Sequence, residues 1–224
     1  MEQNIFDEVK RTAAMLLLRF PRKWYCRRMQ KALTNPNPTI ISNNCIGGII
    51  YHNLNLQFRS PTINLYLSDS DFITFVRDLH GYLDAELVEC PDPTKNYPVG
   101  ALVYNEKQVI VNFMHYESFE EAKRKWDERK KRIDFSNIHI IMQAVDLEEQ
   151  VATDFFQLPY ENKVLIAANN PTNNENVIIL PVLAKETYRP GEVLEYRSLL
   201  SPRRYMDDFD YVSFLNAGNK VCTK

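Results

Sequence analysis

Thr39-Ile40-Ile41-Ser42-Asn43-Asn44-Cys45-Ile46-Gly47-Gly48 reads as a buried strand that runs into a polar turn and then into a short helix reaching Leu54. An apolar start with no polar alternation suits a strand covered on both faces. A strand that feeds a helix is the unit of α/β folds, so this stretch sets the expected class.

Working outward, the same grammar continues on both sides. Ile63 to Leu67 reads as a strand, and Asp71 to Tyr82 as a helix with Phe72, Phe75, Val76 and Leu79 on one face. Leu87-Val88-Glu89 reads as another strand, and Ala101–Tyr104 with Val109–Phe113 as a hairpin across Asn105-Glu106-Lys107-Gln108. Phe119 to Arg132 is a helix with an apolar stripe of Phe119, Ala122 and Trp126, and its acids stand four residues ahead of its bases. A second series follows: strand His139–Met142, helix Leu147–Phe156, strands Lys163–Ala168 and Val177–Val182, then a helical tail carrying Tyr196, Leu199, Leu200, Tyr205 and Phe209. The expected architecture is a three-layer, Rossmann-like α/β fold. Its two similar halves, about Thr39–Glu89 and Ile138–Val182, read as a pseudo-repeat.

Before the Asn35-Pro36-Asn37-Pro38 breaker lies a basic amphipathic segment in which Met15, Leu16, Leu17, Leu18, Phe20, Trp24 and Tyr25 are interleaved with arginine and lysine. Pro21 is expected to divide it into two short helices. The segment suits docking on an anionic membrane or on an acidic partner such as export machinery, and it equally suits a helical pair packed on the body with its arginines solvated. The chain is thus divided into a helical segment 1–36, an α/β domain 37–217 and a tail 218–224.

The 224 residues suffice for a full core without staples. A formal net charge of -2 gives no overall attraction to nucleic acid, so none is expected as partner. Cys26, Cys45, Cys90 and Cys222 form no metal-binding spacing and are read as thiols of a reducing compartment. No apolar run approaches the roughly 20 residues of a membrane helix. The start Met1–Val9 has three acids before the first base, unlike a secretory leader, so the expected location is cytoplasmic, peripheral to the inner membrane where the basic segment docks.

The candidate site centres on Ser42 to Gly48. Free N–H groups at a helix start favour an anion, Gly47 and Gly48 let the backbone approach a ligand, and Asn43 and Asn44 suit hydroxyls or phosphate oxygens. The same residues also make an ordinary helix cap. Cys45 sits where a helix dipole favours thiolate, and His115 is the histidine best placed in sequence to serve as its base. Ser68-Asp69-Ser70-Asp71 is either a helix cap or a pair of carboxylates for a divalent ion. Arg129 to Arg132 is either a solvated helix end or an attractor of a phosphorylated or acidic saccharide, and the Arg203-Arg204 and Asp207-Asp208 pairs are read as surface or as a lid over the site. No pattern names a cofactor.

Several of these stretches together resemble the bacterial family of the domain of unknown function DUF1919, some of whose members are labelled exopolysaccharide biosynthesis proteins. They are Thr39 to Gly48, Ser70-Asp71-Phe72, Tyr97-Pro98-Val99-Gly100, His115-Tyr116, Ser118-Phe119-Glu120-Glu121-Ala122 and Lys125-Trp126. The resemblance covers nearly the whole chain and implies a two-lobed α/β fold. It implies a setting in cell-surface polysaccharide assembly, with a saccharide or sugar phosphate as substrate of a transferase-like enzyme, or a non-catalytic saccharide-binding accessory of the export machinery. Under the enzyme reading Ser42, Asn43, Asn44, Gly47, Gly48 and Tyr116 hold the substrate, and Cys45 and His115 line the reacting centre. Ile46 stands where members of the family often carry tryptophan, which removes an aromatic stacking surface at that point.

Overall fold

The computed structural model describes residues 12 and 14–217. The expectations placed on the start Met1–Val9, on Cys222 and on the tail 218–224 lie outside the described residues. Helix α1 (Arg19–Ala32) follows a helical stretch over 14–17, with a turn at Leu18 between them. Pro21 is therefore the third residue of one 14-residue helix, and the interruption falls just ahead of it. A first-turn proline lacks only an N–H that would have no partner within α1, so the break sits where the preceding carbonyls lose their donors.

Strand β1 (Thr39–Ser42) leads into α2 (Ile46–Leu54), as read from the sequence. Helices α3 (Asp69–Arg77) and α4 (Leu79–Asp84) replace the single helix expected there, with the break at Asp78 (φ -122°, ψ 46°). Strands β2 (Val88–Glu89), β3 (Val99–Tyr104) and β4 (Lys107–Asn112) precede α5 (Phe119–Lys130). Then come β5 (Ile138–Ala144), α6 (Glu149–Phe156), β6 (Lys163–Ala167) and β7 (Val177–Ile179). A hairpin of β8 (Tyr196–Ser198) and β9 (Ser201–Arg204) and the helix α7 (Tyr211–Ala217) complete the described chain.

A parallel sheet in the order β1-β5-β6-β7 forms the middle layer. Its strands alternate between two cores. Ile40, Ile141, Val164 and Ile166 face the cluster that receives α2 and α7, while Ile41, Ile140, Met142 and Leu165 face the cluster that receives α3, α5 and α6. Helices on both faces of a parallel sheet make the three layers of a Rossmann-like fold.

The two stretches read as a pseudo-repeat do not repeat one another. Thr39–Glu89 supplies one strand to the parallel sheet and Ile138–Val182 supplies three. The expected strand Ile63–Leu67 is instead a connector between sheets: Tyr66 makes a single antiparallel bridge to Asn112, and the Leu67 amide donates to the Asn43 carbonyl at 2.8 Å. In the antiparallel sheet β2-β3-β4, the β3–β4 turn contracts to Asn105-Glu106, both with positive φ (47° and 61°), the conformation of a two-residue hairpin turn.

The helical tail expected over Tyr196–Phe209 is also corrected, because most of it is the β8–β9 hairpin and a short 3-10 turn. Pro202 cannot sit inside a helix without loss of a donor, and that outweighs the helical spacing of Tyr196, Leu199 and Leu200. The hairpin and the 3-10 turn after it, Tyr205–Asp208, meet α1 around a buried ion pair. Arg22 and Asp207, whose side chains are only 8% and 1% exposed, pair directly, with Nη2 donating to Oδ1 at 3.2 Å and Nη1 to the Pro202 carbonyl at 3.2 Å. Asp207 is thus no surface acid, and neither is Arg129 a solvated helix end. Its buried guanidinium lies 5.2 Å from the Phe58 ring centre.

Candidate functional site

Chain leaving β1 turns into α2 on one face of the sheet, whereas chain leaving the adjacent β5 turns into α6 on the other. Adjacent parallel strands whose connections part in this way open a crevice between their carboxyl ends, and that is where α/β folds bind ligands. Ser42, Asn43 and Asn44 lie on one bank, with Gln143 and Glu148 on the other.

At the floor of the crevice, fully buried Asn43 joins the two strands. Its Nδ2 donates to the Gln143 carbonyl at 2.9 Å, and its Oδ1 accepts from the Gln143 amide at 3.0 Å. A carboxamide here continues the β1–β5 ladder past its last backbone pair. The start of α2 is closed by its own neighbours. Ser42 Oγ accepts from the Gly47 amide at 3.2 Å and donates to the Asn44 carbonyl at 2.8 Å, while Asn44 Oδ1 accepts from the Ile46 amide at 3.0 Å. Two of the N–H groups that would hold an anion are already bonded. Gly47 has a packing cause as well, since a Cβ there would stand 2.5 Å from Ser42 Oγ and 3.2 Å from Ile40 Cγ2. A Cβ on Gly48 would meet Ile63 Cγ2 at 3.3 Å.

Burial pushes the Cys45 thiol up, against the thiolate expected from its place before α2. Desolvation is the cause, and among the described residues no cation or hydrogen bond is shown to offset it. His115 is exposed on the turn after β4 and makes no hydrogen bond or ion pair among the described residues, so the structure shows no link between it and Cys45. The neighbour that does come within electrostatic reach of Cys45 is Tyr116. Its hydroxyl is engaged elsewhere, donating to the Ile63 carbonyl at 2.9 Å and accepting from Arg129 Nη1 at 2.6 Å, and burial pushes its pKa up.

Ser68 caps α3, its Oγ accepting from the Asp71 amide at 3.2 Å, and Asp71 in turn accepts from Ser68 Oγ and the Ile110 amide. Among the described residues, no group of three or more His, Cys, Asp and Glu is placed to hold a metal ion. Asp69 is different from Asp71. It is half-buried beside the crevice, with its Oδ1 3.5 Å from Asn43 Nδ2. Burial raises its pKa, the Asn43 contact opposes that, and the charge of Glu148 across the crevice adds to the rise. Gln143 Nε2 and the Tyr188 hydroxyl stand 3.4 Å apart on the same side. Gln143, Glu148 and Tyr188 escaped sequence reasoning, for they lie about 100 residues or more from Asn43 and no local pattern ties them to it. Parallel pairing of β1 with β5 brings Gln143 there, and the loop carrying Tyr188 folds back to meet it.

Comparison with known proteins supplies a family. The family model described as Domain of unknown function (DUF1919) matches residues 18–216. A protein of Haemophilus influenzae described as uncharacterized is 36% identical over 191 residues, which span 85% of this chain and 89% of that one. With a match running from the Leu18 turn through α7 and covering both banks of the crevice, the chain belongs to the DUF1919 family.

Proposed function

We propose that the β1–β5 crevice binds a saccharide and that the protein is a transferase-like enzyme of cell-surface or exopolysaccharide assembly, working in the cytoplasm. The observation that carries the chemistry is Asp69: a half-buried carboxyl, raised in pKa by desolvation and steadied by Asn43, at the carboxyl end of the parallel sheet. A general base works best with a pKa moved toward the working pH. Asp69 takes the proton of an acceptor hydroxyl as that oxygen bonds to the anomeric carbon of a donor sugar and the leaving group departs with its bonding pair. Carboxamide and phenol groups of Asn44, Gln143 and Tyr188 suit sugar hydroxyls, which both donate and accept. The bonded amides at the start of α2 favour an uncharged ring there over a phosphate. The polysaccharide setting comes from the family resemblance.

A second reading, a non-catalytic saccharide-binding accessory of the export machinery, is favoured by the Cys45 thiol, which burial shifts away from thiolate, and by His115, which has no contact linking it to Cys45 among the described residues. Thermal-shift measurements against oligosaccharides, sugar phosphates and nucleotide-sugars separate the two, because a ligand of the native state raises Tm by mass action. A ligand that stabilises wild type and Asp69→Asn alike but is turned over only by wild type supports the enzyme. Binding by both with turnover by neither supports the accessory. No shift with any saccharide removes the crevice as a sugar site.

A further inference from the structure

Helix α1 presents two unlike faces. Its inner face is held to the body by the Arg22–Asp207 pair and by Gln30, whose Nε2 donates to the Asn53 carbonyl at 2.8 Å. On the other side, Leu16, Leu17, Phe20 and Trp24 are 71%, 67%, 77% and 61% exposed. Phe20 and Trp24 are one turn apart on the outside of α1, and Leu16 and Leu17 stand exposed in the helical stretch that enters it through the Leu18 turn. A scattered exposed leucine needs no explanation, but four large apolar side chains within one short stretch do.

The charges around them have one sign. Between Glu8 and Asp69 the sequence contains no acidic residue, and exposed Arg19, Lys23, Arg27, Arg28 and Lys31 flank the apolar row or extend it. The Arg28 guanidinium lies 5.2 Å from the Trp24 ring centre, and a concavity of about 410 Å³ is lined by Trp24, Arg27, Arg28, Gln30 and Lys31. An indole and several cations around a hollow match a phosphodiester headgroup, with the indole at the boundary between water and acyl chains. Among the described residues, no helix is long and apolar enough to cross a membrane.

We propose that the outer face of α1 docks the protein on an anionic lipid surface, with Leu16, Leu17, Phe20 and Trp24 in the interface and the flanking bases over lipid phosphates. The inner-face anchors make α1 a rigid part of the body, so docking orients the whole α/β domain against the membrane. This surface does not depend on what the β1–β5 crevice binds.

Tryptophan fluorescence tests it on the intact chain, because Trp24 is exposed and Trp126 is buried at 1%. Vesicles of phosphatidylcholine with about one-third phosphatidylglycerol are expected to shift emission to the blue and to carry the protein down on sedimentation. Pure phosphatidylcholine should bind about tenfold less, and high salt should release the protein. Trp24→Phe should abolish the shift while retaining sedimentation. Phe20→Ser with Trp24→Ser, and separately Lys23→Glu with Arg27→Glu and Arg28→Glu, should each lower binding about tenfold with unchanged circular dichroism. Equal binding to neutral and anionic vesicles overturns the proposal, and so does absence of binding to either. Burial of the Phe20–Trp24 row in a dimer that light scattering detects, and that the serine variant dissolves, also overturns it in favour of a second copy of the chain.

Discussion

Helices α1 and α2 invert the roles their sequences suggest. The start of α2 has the glycines and carboxamides of a ligand loop, yet Ser42 and Asn44 turn inward on its own amides and Asn43 on the neighbouring strand. Helix α1 has the length of a packing helix, yet Phe20 and Trp24 stand in water, and it is fastened to the body by a charged pair and a carboxamide together with Met29. Polar residues near a strand end are needed first to complete backbone bonding, whereas nothing obliges an apolar face to find its own core when something outside the chain covers it. Residue type alone therefore misjudges both helices, and bonding partners separate them.

The inner face of α1 allows the largest test. Asp207→Ala leaves the Arg22 guanidinium buried without its partner, and loss of one member of a buried pair costs about 3–5 kcal/mol. Phe20→Ser, one turn or less away on the outer face, should change stability by no more than about 0.5 kcal/mol. Urea denaturation of both variants checks the contrast. Similar midpoints would mean that α1 is not fastened through Arg22 and that its two faces are equivalent. Replacing both members, Arg22→Met with Asp207→Leu, should recover much of the loss, because the penalty lies in the stranded charge.

For α2 the test is the sign of a glycine substitution. Alanine in a helix normally gains about 1 kcal/mol over glycine. At Gly47 the new Cβ would press on Ser42 Oγ at 2.5 Å, displacing the group that caps the Gly47 amide, so Gly47→Ala should lose about 1–3 kcal/mol. At Gly48 the nearest atom is Ile63 Cγ2 at 3.3 Å, and the cost there should be smaller. If Gly47→Ala stabilises the protein, the cap does not form and the amides at the α2 start are free for a ligand after all.

What could be read without coordinates follows from how local each cause is. The β1–turn–α2 unit, the Ser68 cap and the β3–β4 hairpin rest on neighbours a few residues apart, and their residue types announce them. The β8–β9 hairpin was hidden because Tyr196, Leu199 and Leu200 have helical spacing and Pro202 is the one contrary sign. The crevice was half legible. Its β1 bank is a contiguous string, while Gln143 and Tyr188 arrive through strand pairing and a distant loop. Arg22 and Asp207, 185 positions apart, each look like surface charge until the fold brings them together.

The smallest expected effect concerns Asp69, and its sign distinguishes a working group from a capping one. Burial raises its pKa above the ordinary aspartate value of about 3.9, so the native state holds this proton more tightly than the unfolded chain does. In the window from that value up through the raised native pKa, the folded form binds more protons, and stability falls as pH rises. Above that window the ionised carboxylate is therefore a net cost to the fold. Asp69→Asn keeps a polar group beside Asn43 without the charge, so it should be more stable than wild type at pH 7 and lose that advantage below about pH 4. Urea denaturation at the two pH values measures the difference. An advantage independent of pH would trace it to packing, and a loss at pH 7 would make Asp69 an ordinary stabilising acid of the first turn of α3. A gain at pH 7 that disappears in acid, with turnover lost in the same variant, is the signature of a carboxyl kept in a costly environment for proton transfer.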